Sequence, residues 1–360
     1  MCESVIDFLP TYIVNCQTQR ISVRLRIADR SRTAPPVAAG PRHVQRNLLC
    51  RKLWRLRIAI FWILFFAIPA IAPASTHPPD PQHQDHSDSN WQLAQSDPIA
   101  LIQKVSRNEL ANSYGHRSSV RYHLRKTTRN TDTTKIIVET ANGGIARLIA
   151  IGSKPLTTSQ EQAETQRLRG LLADPSLQEH RRRSEQKDAA RITAIMRLLP
   201  EAFLYKAVDR DASKDLIHLT FTPNPRFSPP TLESRVLTGV RGDVWIDSQD
   251  LRVVRIEGHL FRQVEYGWGI LGTLYPGGAI SIEQVKTPDC GWRFAHLNLD
   301  LTGKKFMFAS LHIVVDETAT DYSPVQRNWN YADAIHWLLQ MPASAMEQSK
   351  SQQPSIKSTK

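Results

Sequence analysis

Between Gly242 and Val264 the chain reads GDVWIDSQDLRVVRIEGHLFRQV, and apolar and polar residues alternate along most of it. Val244 and Ile246 lie on one side, with Asp243, Trp245 and Asp247 on the other. Ser248-Gln249-Asp250 breaks the pattern. Beyond it Arg252, Val254, Ile256, Gly258, Leu260, Arg262 and Val264 share one face, and Leu251, Val253, Arg255, Glu257, His259 and Phe261 share the other. Successive side chains of a strand point to opposite faces of a sheet. The pattern therefore predicts a long antiparallel hairpin with one face in a core.

The flanking sequence continues it. Val120, Tyr122 and Leu124 alternate with Arg121, His123 and Arg125. Lys135–Glu139 and Ile145–Ile151 come next, separated by the tight-turn signal Asn142-Gly143-Gly144. Strands are expected again at Phe203–Val208, Asp215–Thr222, Ile270–Leu274, Ala279–Val285, Arg293–Leu301 and Phe306–Asp316. Helical spacing appears in three places. Ile99, Ile102, Val105 and Leu110 follow a cap at Ser96 or Asp97, with Pro98 in the first turn. Residues 158–199 open on Thr158 and Glu161, a capping-box spacing, and break at Asp174-Pro175. Ile335, Leu338 and Leu339 follow Asn328 or Asn330 and stop at Pro342. Runs of antiparallel strands with segregated helices define an α+β fold. One strongly curved sheet, covered by helices on its concave side, accommodates this order. The insertion at 158–199 carries so many charges over Glu179–Asp188 that it reads as a solvated arm, dispensable for folding.

The formal charge of +12 is unevenly placed. Residues 1–57 hold eleven Lys or Arg against three acids, so the remainder is nearly balanced and the main domain is not expected to bind nucleic acid. The basic stretch Arg51–Arg57, the apolar run Ile58–Ile68 and the small-residue site Ala72-Pro73-Ala74 have the order of a cleaved export signal. They predict a periplasmic protein, with a signal peptide at 44–74. Residues 1–43, rich in Arg, Pro and Thr, then read as an extension that is not native. Residues 75–95, which contain the Pro-rich polar run THPPDPQHQDHSDSN, read as a disordered linker. A domain over 96–341 and a disordered tail at 343–360 complete the organisation. Of the four cysteines only Cys290 lies beyond the apolar run, so the domain has no internal disulfide.

Chemistry-bearing motifs are sparse. Gly267-Trp268-Gly269-Ile270-Leu271-Gly272 spells G-x-G-x-x-G, but a strand and a turn come after it where a dinucleotide site needs a helix. The glycines read as bend residues. The sequence contains no H-E-x-x-H, no G-x-S-x-G and no phosphate-binding loop. The histidines are scattered singly. No catalytic residue, metal ligand or cofactor is predicted, and the chain is not expected to be an enzyme.

Two stretches carry a resemblance. "GSKPLT" before the charged arm, and "FSPPTLESRVLTGVRGDVWIDSQDLRVVRIEG", resemble a family of exported bacterial proteins similar to the LolA/LolB-like outer-membrane lipoprotein-sorting proteins. Leu237, Gly242, Trp245, Ile246 and Asp247 carry the pattern, and the likeness spans roughly residues 96–322. It implies an incomplete antiparallel β-barrel with helices in its concavity, and a non-enzymatic carrier or sensor of acyl chains or lipoproteins. The candidate cavity residues are Tyr122, Leu124, Leu219, Phe221, Val254, Ile256, Leu260, Ile282, Leu297 and Leu299. A continuous apolar cavity above about 300 Å3 favours the carrier. A core filled by residues such as Trp268, Trp292 and Phe308 favours the alternative, a cell-envelope scaffold that meets a protein partner through the charged arm.

Overall fold

The computed structural model describes residues 81–341, apart from 115–118, 141, 268, 307 and 327. The expected extension, signal peptide and tail lie outside the described residues. Among the described residues thirteen strands form one antiparallel sheet: β1 (Val120–Thr128), β2 (Asp132–Thr140), β3 (Gly143–Ile151), β4 (Lys154–Pro155), β5 (Phe203–Asp211), β6 (Leu216–Pro223), β7 (Val240–Asp247), β8 (Arg252–Leu260), β9 (Val264–Tyr266), β10 (Gly272–Leu274), β11 (Gly277–Thr287), β12 (Gly291–Lys305) and β13 (Ala309–Pro324). Their order is β4-β3-β2-β1-β13-β12-β11-β8-β7-β6-β5, and the short β9–β10 hairpin joins through β12. The first and last long strands are neighbours at the centre. The sheet does not close: β5 lies at one margin, and at the other β3 is edged only by the two-residue β4.

The helices are α1 (Pro81–Ser96), α2 (Pro98–Tyr114), α3 (Thr158–Ala173), α4 (Pro175–Ala202) and α5 (Tyr331–Gln340), with a 3-10 helix at Glu233–Thr238. Asp97 caps α2 by accepting from Ala100 N–H at 2.9 Å. Thr157, one residue before the expected Thr158, forms the capping box of α3 with Gln160. Asp174 caps α4 directly after α3 ends, as the Asp-Pro pair predicts. Asn330 and Asp333 close the box at α5.

Two apolar clusters divide the faces. One runs without a break along the inner face, from Val120, Tyr122 and Leu124 of β1 to Phe203 of β5, and takes in Leu101, Ile102 and Val105 of α2 and Ile195 of α4. The other lies on the opposite face of β2 and β3. There Ile136, Val138, Ile145 and Ile149 meet Leu168 and Leu171 of α3 and Ala334, Ile335 and Leu338 of α5. The β2–β3 wing is thus covered on both faces, which corrects the expectation that helices lie on one side alone.

Two further expectations are corrected by the same packing. The charged insertion is not a solvated arm. Glu164 accepts from the Leu148 N–H at 2.8 Å, Arg167 donates to the Ala146 carbonyl at 2.6 Å, and Arg181 donates to the Gly144 carbonyl at 3.2 Å. These charges stand in for a neighbouring strand along β3, whose unpaired backbone groups otherwise invite another chain. Glu164, Glu185 and Asp188 are buried accordingly. The linker likewise gives way to a helix from Pro81. Ser87 sits 2.6 Å from the Ser248 hydroxyl, Asn90 donates to the Ser248 carbonyl at 2.9 Å, and Arg210 of β5 reaches Ser87 at 2.6 Å. With Ala94 buried in the core, α1 braces the β5 margin as α3 and α4 brace β3.

Candidate functional site

An apolar cavity of about 80 Å3 lies between the inner sheet face, α2, α4 and the 3-10 helix. Ile102 and Val105 of α2 and Met196 and Leu199 of α4 form one wall. Phe203, Tyr205, Phe221, Val244, Ile256, Ile280 and Ile282 of the sheet form the other, and Val236 and Leu237 close one end. Two glycines let the strands of the β7–β8 hairpin approach closely beside this wall. Gly242 and Gly258 face each other across β7 and β8. A Cβ on Gly242 would stand 1.9 Å from the Glu257 carbonyl oxygen, so the strands approach too closely for any other residue there. Gly258 lines the cavity, and a Cβ on it would meet Val240 Cγ1 at 3.1 Å.

Phe221, Ile256 and Ile282 of the ten predicted residues line the cavity. Tyr122, Leu124, Leu219, Leu260, Leu297 and Leu299 are buried in the same cluster, packed away from it. Val254 departs from the expected face. The β7–β8 register steps from Trp245↔Arg255 to Ile246↔Val253, which leaves Val254 as the extra residue of a bulge. Val253 takes its place on the wall. Phe308 is 84% exposed and fills nothing, while Trp292 is buried without lining the cavity; Trp268 lies outside the described residues.

The polar end of the cavity has no counterpart in the sequence pattern. Glu109, on α2, accepts from Arg252 Nε at 2.9 Å and Nη2 at 2.8 Å and from the Val253 N–H at 2.9 Å. Gln284 completes the group, 3.3 Å from Arg252 Nη2. Glu109 and Arg252 are 4% and 3% exposed. Their charges cancel, and each carries several hydrogen bonds, as a buried pair requires. Gln284 faces inward by the plain alternation of β11, which buries Ile280, Ile282 and Gln284 in turn; the bulge opposite it puts the extra residue, Ala295, in β12.

The other titratable groups do not converge on the cavity. His218 lies between Asp243 and Asp209, at 2.9 and 3.2 Å, and stacks on Trp245 at 4.7 Å. His296 pairs with Asp316 and His312 with Asp300, at 3.1 and 2.9 Å. These pairs stand on the outer face. Inside, Tyr122 donates to Glu139 at 3.1 Å, and burial, with the Glu139 charge second, pushes its phenol well up. Burial also pushes the Cys290 thiol up, which suppresses the thiolate that a nucleophile or metal ligand needs. Among the described residues no group of three or more His, Cys, Asp or Glu is placed to hold a metal ion. No helix among them is long and apolar enough to cross a membrane.

No family model and no curated protein matches this chain. The class that the structure itself defines is an α+β protein built on one large, open antiparallel sheet with an apolar cavity on its inner face.

Proposed function

We propose that this protein is a non-enzymatic, exported carrier or sensor that takes up an acyl chain, free or within a lipid or lipoprotein. The supporting observation is the cavity wall, which is apolar except for Ser106 and the neutralised Glu109 at its edge. In this reading the open sheet is an incomplete barrel whose concave side is closed by α2 and α4. The pattern carried by Leu237, Gly242, Trp245, Ile246 and Asp247 supports the same reading, and the segment Arg51–Ala74 supports delivery to the periplasm. Each CH2 buried there contributes about 0.8 kcal/mol.

The cavity is roughly half the ~150 Å3 that admits a single benzene ring. A whole acyl chain therefore enters only as α2 or α4 moves off the sheet. The small volume is also the observation that favours a second reading, an envelope scaffold with a filled core. Mass spectrometry of natively purified protein, together with titration by a fluorescent fatty acid, separates the two. Co-purifying lipid or saturable binding is the expected result. Absence of both overturns the carrier and leaves the scaffold.

A further inference from the structure

At one end of the sheet two tight turns carry apolar side chains that none of the described residues covers. The β12–β13 turn exposes 84% of Phe308 and 39% of Phe306. Beside it the β9–β10 turn exposes 56% of Ile270. The turns are locked together. Thr273 pairs with Lys304 and Gly272 with Lys305, and Phe306 N–H donates to the Leu271 carbonyl at 3.4 Å. Gly303 permits this approach, because a Cβ there would stand 2.1 Å from the Thr273 carbonyl oxygen. Phe306 itself has a φ of 51°, so a bulky residue is held in the left-handed region at the apex. The apolar side chains are thus presented by a rigid support.

Basic residues lie on the strands that lead to this tip. Lys304 and Lys305 lead into the β12–β13 turn. At the base of the β9–β10 hairpin, Arg241 and Arg262 flank the exposed Phe261, with their guanidinium carbons 5.4 and 5.6 Å from its ring. Glu265 lies on the same hairpin and accepts from Gln263 at 2.8 Å. A few aromatic and aliphatic side chains on two apices cannot supply the roughly 20–30 residues a side of a stable protein interface. They suit a bilayer interface, which accepts apolar side chains without shape complementarity while Lys and Arg meet anionic headgroups.

We propose that the Phe306/Phe308/Ile270 tip docks this protein onto the surface of a membrane rich in anionic lipid. The inference is independent of the cavity reading, although the two connect. Arg235 of the 3-10 helix donates to the Glu265 carbonyl at 3.2 Å, and that helix closes one end of the cavity. Docking by the tip turns this end of the cavity toward the bilayer.

Peptide-resolved hydrogen exchange of the full chain tests it. Vesicles of phosphatidylglycerol and phosphatidylcholine in equal parts are compared with phosphatidylcholine alone, and reading individual peptides separates the tip from the apolar run at 58–68. Amides of 264–275 and 304–310 are expected to slow by roughly three-fold or more on the anionic vesicles. Phe308→Asp, at a site too exposed to unfold the protein, removes that protection, and Ile270→Ser weakens it. Tip exchange that vesicles leave unchanged, or that Phe308→Asp does not alter, overturns the proposal. Equal protection on both vesicle types overturns the anionic preference. Protection that grows with protein concentration in the absence of vesicles gives the tip to a second copy of the chain instead.

Discussion

Glu109 of α2 and Arg252 of β8 meet in a two-pronged ion pair at the end of the apolar cavity, with N–O distances of 2.9 and 2.8 Å. The pair fixes the helix to the sheet at the one place where the wall is charged. Glu109→Ala strands a buried guanidinium and the Val253 N–H, and should cost about 3–5 kcal/mol. Replacing both partners, Glu109→Leu with Arg252→Met, removes the desolvation penalty and should recover most of that loss. Urea unfolding of the two variants checks it. A double variant as unstable as the single one would refute the electrostatic account.

The facing glycines of the hairpin should respond in opposite ways. Gly242→Ala drives a methyl into the Glu257 backbone and should destabilise by about 1–3 kcal/mol or more. Gly258→Ala meets Val240 Cγ1 at 3.1 Å and the Arg241 carbonyl oxygen at 3.3 Å, which asks for only a small adjustment, so the fold should tolerate it far better than Gly242→Ala. The same variant reduces the void. Fatty-acid titration should therefore show weakened binding with little change in the unfolding midpoint, and undiminished binding would place the ligand elsewhere.

Cooperative unfolding of a chain lacking residues 160–188 is the decisive measurement for the insertion. The charges of that stretch alone suggest a cost of no more than about 1–2 kcal/mol, the range of surface changes. The structure predicts instead that the deletion abolishes the transition, because Leu168 and Leu171 leave the second core and β3 loses its cover. Glu164→Ala, which removes only the acceptor for Leu148 N–H and the partner of Arg167, should cost about 1–3 kcal/mol. A deletion that still unfolds cooperatively would restore the solvated arm.

Strict alternation makes the inner faces of β1, β6 and β12 legible from sequence. Tyr122, Leu124, Leu219, Leu297 and Leu299 are all buried in the inner cluster. Alternation fails where a bulge inserts a residue. Arg252, Val253 and Val254 offer no signal for which of them is extra, so alternation alone sets the start of β8 one residue out of phase. The charged positions mislead for a different reason. Glu164, Arg167 and Arg181 are satisfied by backbone groups of β3, partners far away in sequence that composition cannot reveal. The cavity has only a partial trace in Gly242 and Gly258, because pairing outward from Asp247 and Arg252 without the bulge sets Gly242 opposite Glu257 instead of Gly258. Glu109, one charge on an otherwise ordinary helix, has none.

The turn that joins β7 and β8 supplies a pH-dependent prediction. The Asp247 carboxylate accepts from the N–H groups of Gln249 and Asp250 at 3.0 and 2.6 Å, an arrangement that orders the turn. Burial is the largest influence on its acidity and raises its pKa above the ordinary value; the backbone hydrogen bonds oppose this without reversing it. Because the folded pKa is the higher one, the folded state holds this proton more tightly than the unfolded chain does. The associated stability is fully present below the unfolded value of about 3.9, and it is lost as pH rises through the folded value. Asp247→Asn keeps an oxygen that can accept both N–H bonds and has no charge to desolvate. The variant should therefore be more stable than the native chain at about pH 7, and its advantage should shrink as pH falls toward the ordinary carboxylate range. Urea midpoints for both proteins at about pH 7 and about pH 4 measure this. A gap that widens on acidification would mean that Asp247 is held as a favoured carboxylate and that its hydrogen bonds, rather than burial, govern it.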